Sequence, residues 1–318
     1  MTRFAVLMLS VFVTVIGAGA ACGQDYPNRP IRIITSGAGG GNDFVSRILA
    51  QALAVNLGQQ VVVDNRGSGV APGLAVHQSA PDGYTLLVVS NNLWTAPLLQ
   101  KVPYDPVRDF APITLPTRAP YILVVHPSLP IKSIKELIAL AKARPGELNY
   151  SSTSTGSASH IAAESFNYMA GVKIVRIPYK SSAQESADLV SGEVQLTFFD
   201  AGTATRFMKS GQVRALAVGS AQPSPLFPAL PTIGATVPGY EAKPQINGLF
   251  APARTPEAII RRLNQEVVRV LNQPEVKEKL FAAGVETAGT TPEQFAAEIK
   301  SEIAIMAKVI KNAGIRVD

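Results

Sequence analysis

A chain of 318 residues with a single cysteine, Cys22, closes no internal disulfide, so its stability has to come from a buried core. Histidine is almost as scarce. His77, His126 and His160 are the whole supply, and no H-E-x-x-H, C-x-x-C or carboxylate-rich loop accompanies them, which excludes the usual zinc and calcium ligand sets. Aromatics make up only 7% of the chain, and Arg261-Arg262 is the one adjacent basic pair. A nucleic-acid surface would need a basic stripe interleaved with aromatics, so none is expected. Past Ile16 no apolar run approaches the roughly 20 residues of a membrane-spanning helix. The net charge of +6 leaves a mild attraction for small anions.

What is present begins at the N-terminus. Arg3, the apolar run Phe4 to Ile16 and the small-residue tract Gly17 to Gly23 have the three parts of a secretory signal peptide, placed at residues 1–23. Cleavage fits after Gly23 or, in an A-x-A setting, after Ala20. Cys22 is then discarded with the leader; the alternative, a lipid-modified terminal cysteine, lacks the leucine usually found three positions earlier, where Gly19 stands.

Over the whole chain, 47% hydrophobic residues are enough for a sizeable core. Short Val/Ile/Leu-rich runs alternate with helical patterns, which predicts α/β architecture with parallel sheets covered by helices. Strands are expected at Ile31 to Thr35, Val61 to Asp64, Thr85 to Ser90, Tyr121 to Val125, Ile174 to Pro178, Gln195 to Phe199, Arg214 to Val218 and Gly248 to Ala251. Ser133 with Glu136, and Thr291-Pro292 with Gln294, mark helix starts. Phe295, Ile299, Ile303, Met306 and Ile310 then form the core stripe of a last helix. Composition changes near Pro116 to Tyr121 and again over Gln222 to Pro244, which holds six prolines. Those breaks predict a discontinuous first domain, 24–121 and 221–318, with a second domain, 122–220, inserted in it.

Two loops carry the chemistry. ITSGAGGGNDF, Ile34 to Phe44, runs from a strand through five small residues into a helix. A dinucleotide fingerprint fails there: Gly37-x-Gly39 needs glycine at 42 and meets Asn42, and Gly39-x-Gly41 needs it at 44 and meets Phe44. A phosphate-binding P-loop fails too, because Gly-Lys-Ser/Thr is absent and Asp43 would oppose a phosphate. What survives is bare backbone N–H groups at a helix start, which suit an anion. The bland alternative is a tight turn with Asn42 or Asp43 as cap. SSTSTGSASH, Ser151 to His160, repeats the logic with hydroxyls around Gly156. No G-x-S-x-G or S-x-x-K context makes a nucleophile of its serines, and His160 is expected to hydrogen-bond locally unless it joins the site. Ser90-Asn91 and Asp200 sit at strand ends, where open α/β sheets bind ligands.

Taken together, YPNRPIRII, GGGNDFVSRILA, DNRGSG, APDGYTLLVVSNN, VPYDPVRDFAPI, NYSSTSTGSASHIA, IPYKSSA and APARTPEAIIRRLN resemble the Bug family of extracytoplasmic solute receptors, the binding components of tripartite tricarboxylate transporters. The resemblance implies a type II periplasmic-binding fold, two α/β domains closing on a ligand, and a periplasmic protein without enzymatic activity or cofactor. It implies as partners a small carboxylated solute (a di- or tricarboxylate, an aromatic carboxylate or an amino acid) and membrane transporter components. A monomer is expected. The site it implies comprises Ser36, Gly39, Gly40, Gly41, Asn42 and Asp43 of the first loop and Ser90 and Asn91. Ser154, Thr155, Gly156, Ser157, Ser159 and His160 of the second loop, with Asp200, complete it. The family usually carries Pro-Phe where this chain has Thr35-Ser36, so an aromatic wall is expected to be missing. Alternatives are a ligand-sensing partner of a signalling protein, and a Rossmann-type enzyme.

Overall fold

The computed structural model describes residues 26–67, 69–153 and 155–312. The leader, Cys22 and Ser154 lie outside the described residues. In chain order the strands are β1 (Ile31–Thr35), β2 (Val61–Asn65), β3 (Thr85–Ser90), β4 (Phe110–Ala119), β5 (Tyr121–Val125), β6 (Asn149–Ser152), β7 (Val175–Pro178), β8 (Leu196–Asp200), β9 (Arg214–Val218), β10 (Gln245–Pro252) and β11 (Glu286–Thr287). They form a six-stranded sheet ordered β11-β4-β10-β3-β1-β2 and a five-stranded sheet ordered β7-β6-β8-β5-β9.

The expected parallel sheets are in fact mixed. β1 pairs parallel with β2 and β3, but β10 runs antiparallel between β3 and β4, and β5 runs antiparallel between β8 and β9. The cause is the path of the chain. It leaves the first sheet along β4, turns at Pro120 and enters the second as β5, then returns through the proline-rich stretch and β10. A strand that carries the chain from one sheet to another need not share the direction that βαβ units impose.

Helices cover both sheets: α1 (Gly41–Leu57), α2 (Ala71–His77), α3 (Asn92–Thr95), α4 (Ile134–Ala143), α5 (Ala158–Ala170), α6 (Ser182–Ser191), α7 (Ala201–Lys209), α8 (Glu257–Leu271), α9 (Pro274–Ala282) and α10 (Pro292–Asn312). Their caps explain where they start. Ser133 Oγ accepts from Glu136 N–H at 3.2 Å. At α10, Thr291 Oγ1 accepts from Gln294 N–H at 3.2 Å while Thr291 N–H donates to Gln294 Oε1 at 3.0 Å, a reciprocal capping box.

The apolar stripe of α10 divides its work. Phe295 and Ile299 pack on Trp94 and Phe250 of the first sheet's core, while Met306 and Ile310 rest on Ile161 of α5. A bidentate Arg118–Glu298 pair, both bonds 2.6 Å, fixes the helix to β4. Glu302, 5% exposed, is held by donors from Asn91 and Trp94 at 2.8 Å each. Burial raises its pKa, and those two hydrogen bonds offset part of the rise.

Candidate functional site

Four helices begin at one place. The N-cap residues of α1, α5, α6 and α7 are Gly40, Ser157, Ser181 and Asp200, and all four border a cavity of about 80 Å³ between the two sheets. Each N-terminus presents unpaired N–H groups and a partial positive charge. Ser157, Ser181 and Asp200 each spend side-chain oxygen on a cap, accepting from His160, Gln184 and Thr203 N–H at 3.2, 3.3 and 3.0 Å. Gly40 has no side chain to spend, and no side chain caps α1. Its first N–H groups are therefore the ones a ligand can claim.

The residues named from sequence divide into two groups. Ser36, Gly40, Gly41, Asn42, Ser90, Ser157, Ser159 and Asp200 border this cavity. Within that group Ser36 Oγ accepts from Asn42 Nδ2 at 2.9 Å, and Ser90 Oγ donates to Asn92 Oδ1 at 3.1 Å.

Gly39, Asp43, Asn91, Thr155, Gly156 and His160 are not brought to its wall. Gly39 borders an adjoining cavity of about 260 Å³. Asp43 is turned back on its own loop, accepting from Gly39 N–H at 3.1 Å and Asn65 Nδ2 at 2.9 Å, with Arg47 at 3.0 Å. Burial alone would raise its pKa, but hydrogen bonds from Arg47, Asn65 and Gly39 outweigh that and lower it. Asn91 faces Glu302, and Thr155 Oγ1 accepts from Arg176 at 3.2 Å. Gly156, at φ +77, lies so close to α3 that a Cβ there would sit 2.9 Å from Ala96 Cα, and its carbonyl accepts from Thr95 Oγ1 at 2.7 Å. These residues hold the loops in place.

His160 Nδ1 accepts from Gly156 N–H at 3.1 Å. Burial, seconded by the charge of Arg176, pushes the imidazole down to about 3. The unfolded chain takes up this proton near pH 6.5. The folded chain takes it up only near pH 3, so the stability involved is present above pH 6.5 and is lost as the pH falls from there towards 3. We expect His160→Gln to flatten the fall in melting temperature between pH 7 and 5, reducing the linked uptake by up to about one proton. An unchanged pH slope would show that His160 is not buried neutral.

Sequence reading missed other wall residues. Ser181 and Ser182 follow the same strand, hydroxyl, helix logic in IPYKSSA and could have been found by it. Glu185 lies in the first turn of α6, Tyr121 at the start of β5 and Gln245 at the start of β10. No local signal marks those three. The 260 Å³ cavity shares Gly40, Gly41, Asp200, Thr203 and Gln245 with the first, and its other lining residues include Phe44, Ala119 and Val285 as well as Arg206 and Lys209.

Two sheets joined by two crossings, with helix N-termini converging on the space between them, define a two-domain solute-binding protein of the periplasmic type. The chain belongs to the tripartite tricarboxylate transporter receptor family, whose model, "Tripartite tricarboxylate transporter family receptor", matches residues 45–315. It is 36% identical over 324 residues to Protein BugT of Bordetella pertussis, covering 99% of each chain. Among solved structures it is similar to R. palustris Rpa4515 with adipate, at 36% identity and TM-score 0.88, covering 92% of this chain and 99% of that one. It is also similar to MatC from Rhodopseudomonas palustris with bound malate, at 29% identity and TM-score 0.84, covering 90% and 100%. No helix among the described residues is long and apolar enough to cross a membrane.

Proposed function

We propose that this protein captures a small carboxylate in the 80 Å³ cavity and delivers it to the membrane components of a tripartite transporter. The observation that carries this reading is the convergence of four helix N-termini, with the hydroxyls of Ser36, Ser90, Ser159 and Ser182, on one small cavity. The similar solved structures, one with adipate and one with bound malate, support it. In this reading Ser36, Gly40, Gly41, Asn42, Ser90, Ser157, Ser159 and Asp200 contact the ligand, and Asp43, Asn91, Thr155, Gly156 and His160 hold the loops. The two domains comprise 24–121 with 221–318, and 122–220. The leader 1–23 is removed on export, Cys22 goes with it, and the mature monomer acts as a receptor without catalysis.

Micromolar capture corresponds to about 8 kcal/mol. A helix terminus supplies roughly 0.3–1 kcal/mol when exposed and up to about 2 when partly buried. Four termini do not suffice in open solvent, so closure of the two sheets around the ligand, with loss of water, belongs to the binding step. Calorimetric titration with adipate, malate, benzoate and amino acids is expected to yield a micromolar binder. Binding confined to uncharged ligands would sink the carboxylate reading.

A further inference from the structure

The cavity holds an electrostatic contradiction. Its helix N-termini favour an anion, yet Glu185 and Asp200 both stand in its wall, and no lysine, arginine or histidine of the described residues borders it. Asp200 is accounted for, since both its oxygens accept from Thr203, at 3.0 Å from N–H and 2.8 Å from Oγ1, and so cap α7. Glu185 has no such duty. It lies in the first turn of α6, only 4% exposed, with Thr197 Oγ1 at 3.1 Å from Oε1. That hydroxyl carries one proton and also lies 2.9 Å from the Ser151 carbonyl, so it cannot serve both acceptors fully. The Ser151 hydroxyl is its other donor, and a buried carboxyl served by two neutral hydroxyls and no cation is costly unless something else supplies a charge-assisted donor.

A second observation points the same way. Asn42, contributed by the first turn of α1 on the other sheet, is 9% exposed, and its Oδ1 has no hydrogen-bond partner among the described residues. Glu185, served only by neutral hydroxyls, and Asn42 Oδ1, served by none, are both acceptors in the wall, and both suit a ligand that donates.

We infer that Glu185 is a specificity-determining residue that selects a ligand bearing an ammonium group at one end and a carboxylate at the other, a short zwitterion in preference to a dicarboxylate of equal length. The inference rests on the carboxylate reading of the cavity and refines it. The helix N-termini hold the carboxylate, and Glu185 receives the ammonium in a charge-assisted hydrogen bond. A dicarboxylate would place a second negative charge beside Glu185 and Asp200.

The titration of Glu185 gives the two ligand classes opposite pH dependences. The groups facing it are the Thr197 hydroxyl, Ser151, the Asp200 carboxylate and the phenols of Tyr121 and Tyr179. Burial pushes Glu185 up to about 7, with Thr197 and Ser151 pulling against it and Asp200 adding to it. In the empty cavity it is thus only partly ionised at neutral pH. An ammonium ligand needs the charged form, so its affinity rises as the pH passes upward through 7 and binding releases a proton. A dicarboxylate needs the protonated form, so its affinity falls over the same range.

The test is calorimetry on the mature chain with length-matched pairs: succinate against β-alanine, glutarate against 4-aminobutyrate, adipate against 5-aminopentanoate. At pH 8 the amino acid of the best-binding pair is expected to bind about tenfold or more tighter than its dicarboxylate, the increment of one charge-assisted hydrogen bond. The ratio should shrink towards pH 6. Glu185→Gln, which keeps the shape, should abolish the preference while dicarboxylate affinity holds or improves. Equal or tighter dicarboxylate binding by the wild type at pH 8 overturns the inference and leaves the carboxylate reading standing. So does a ratio that Glu185→Gln leaves unchanged. If no member of any pair binds, the inference fails, while the carboxylate reading is still decided by the malate, benzoate and amino-acid titrations. The wild-type pH series decides the matter without any variant.

Discussion

Gly41→Trp is expected to abolish ligand capture, weakening whichever carboxylate binds best by at least about 100-fold, or about 2.7 kcal/mol, with little change in melting temperature. Gly41 opens α1 and borders both cavities. A Cβ built there would already lie 3.2 Å from Asp200 Oδ1 and 3.2 Å from Gln245 Nε2, so the first added atom touches the opposite wall. The rest of an indole has only the cavities to occupy. It would fill the ligand's place and prop the sheets apart, preventing the closure on which affinity depends. The backbone at Gly41 is helical and not left-handed, so a larger residue brings no conformational strain. Gly41→Ala is the graded control. Its single methyl asks Asp200 and Gln245 to yield by a few tenths of an ångström, and affinity should fall by much less than with Trp. Calorimetry and circular dichroism on the three proteins check both parts, and undiminished affinity in Gly41→Trp would remove the cavity as the binding site.

Gly41 also illustrates what the sequence makes legible. A helix N-terminus is a local event, so the strand, glycine run and helix around Gly40 and Gly41, and the hydroxyl loop ending at Ser157, announce themselves in consecutive residues. The capping pairs at Ser133 and Thr291 do the same. By contrast, the strand β4 goes unseen because Pro112, Pro116 and Arg118 interrupt its apolar pattern. It is tolerated beside β10 where the register shifts around Leu249. Tyr121 and Gln245 reach the cavity through long-range strand pairing, Tyr121 opposite Asp200 and Gln245 opposite Ala119, which no window of sequence encodes. Short polar residues next to a glycine loop are ambiguous in the other direction. Asp43 and His160 look the same in sequence whether they face a ligand or, as here, the N–H groups of Gly39 and Gly156.

The second large effect concerns stability and should leave binding intact. Phe295→Ala is expected to destabilise the fold by about 3–5 kcal/mol, the usual cost of deleting a buried aromatic. Phe295 is fully buried, with ring centroids 5.0 Å from Phe250 and 6.1 Å from Trp94. Its ring lies directly over the backbone of β10, so close that a Cβ on Gly248 would sit 2.5 Å from the ring tip. That glycine and that phenylalanine fit each other, and rigid strand backbone cannot follow the shortened side chain inward, so a cavity remains. At roughly 2–3 °C per kcal/mol for a chain of this size, the melting temperature should drop by roughly 6–15 °C. The rest of α10 stays docked through its capping box, the Arg118–Glu298 pair and Glu302. Loss of stability should therefore not become loss of the helix. Phe295 does not border the ligand cavity, so affinity at 25 °C should match the wild type. This is the reverse of the Gly41→Trp pattern. Denaturant titration alongside calorimetry separates the two. A drop below about 1 kcal/mol would show that the seam between α10 and β10 contributes less than its burial implies, and a parallel loss of affinity would show that α10, through Met306 and Ile310 on Ile161, governs how the two sheets close.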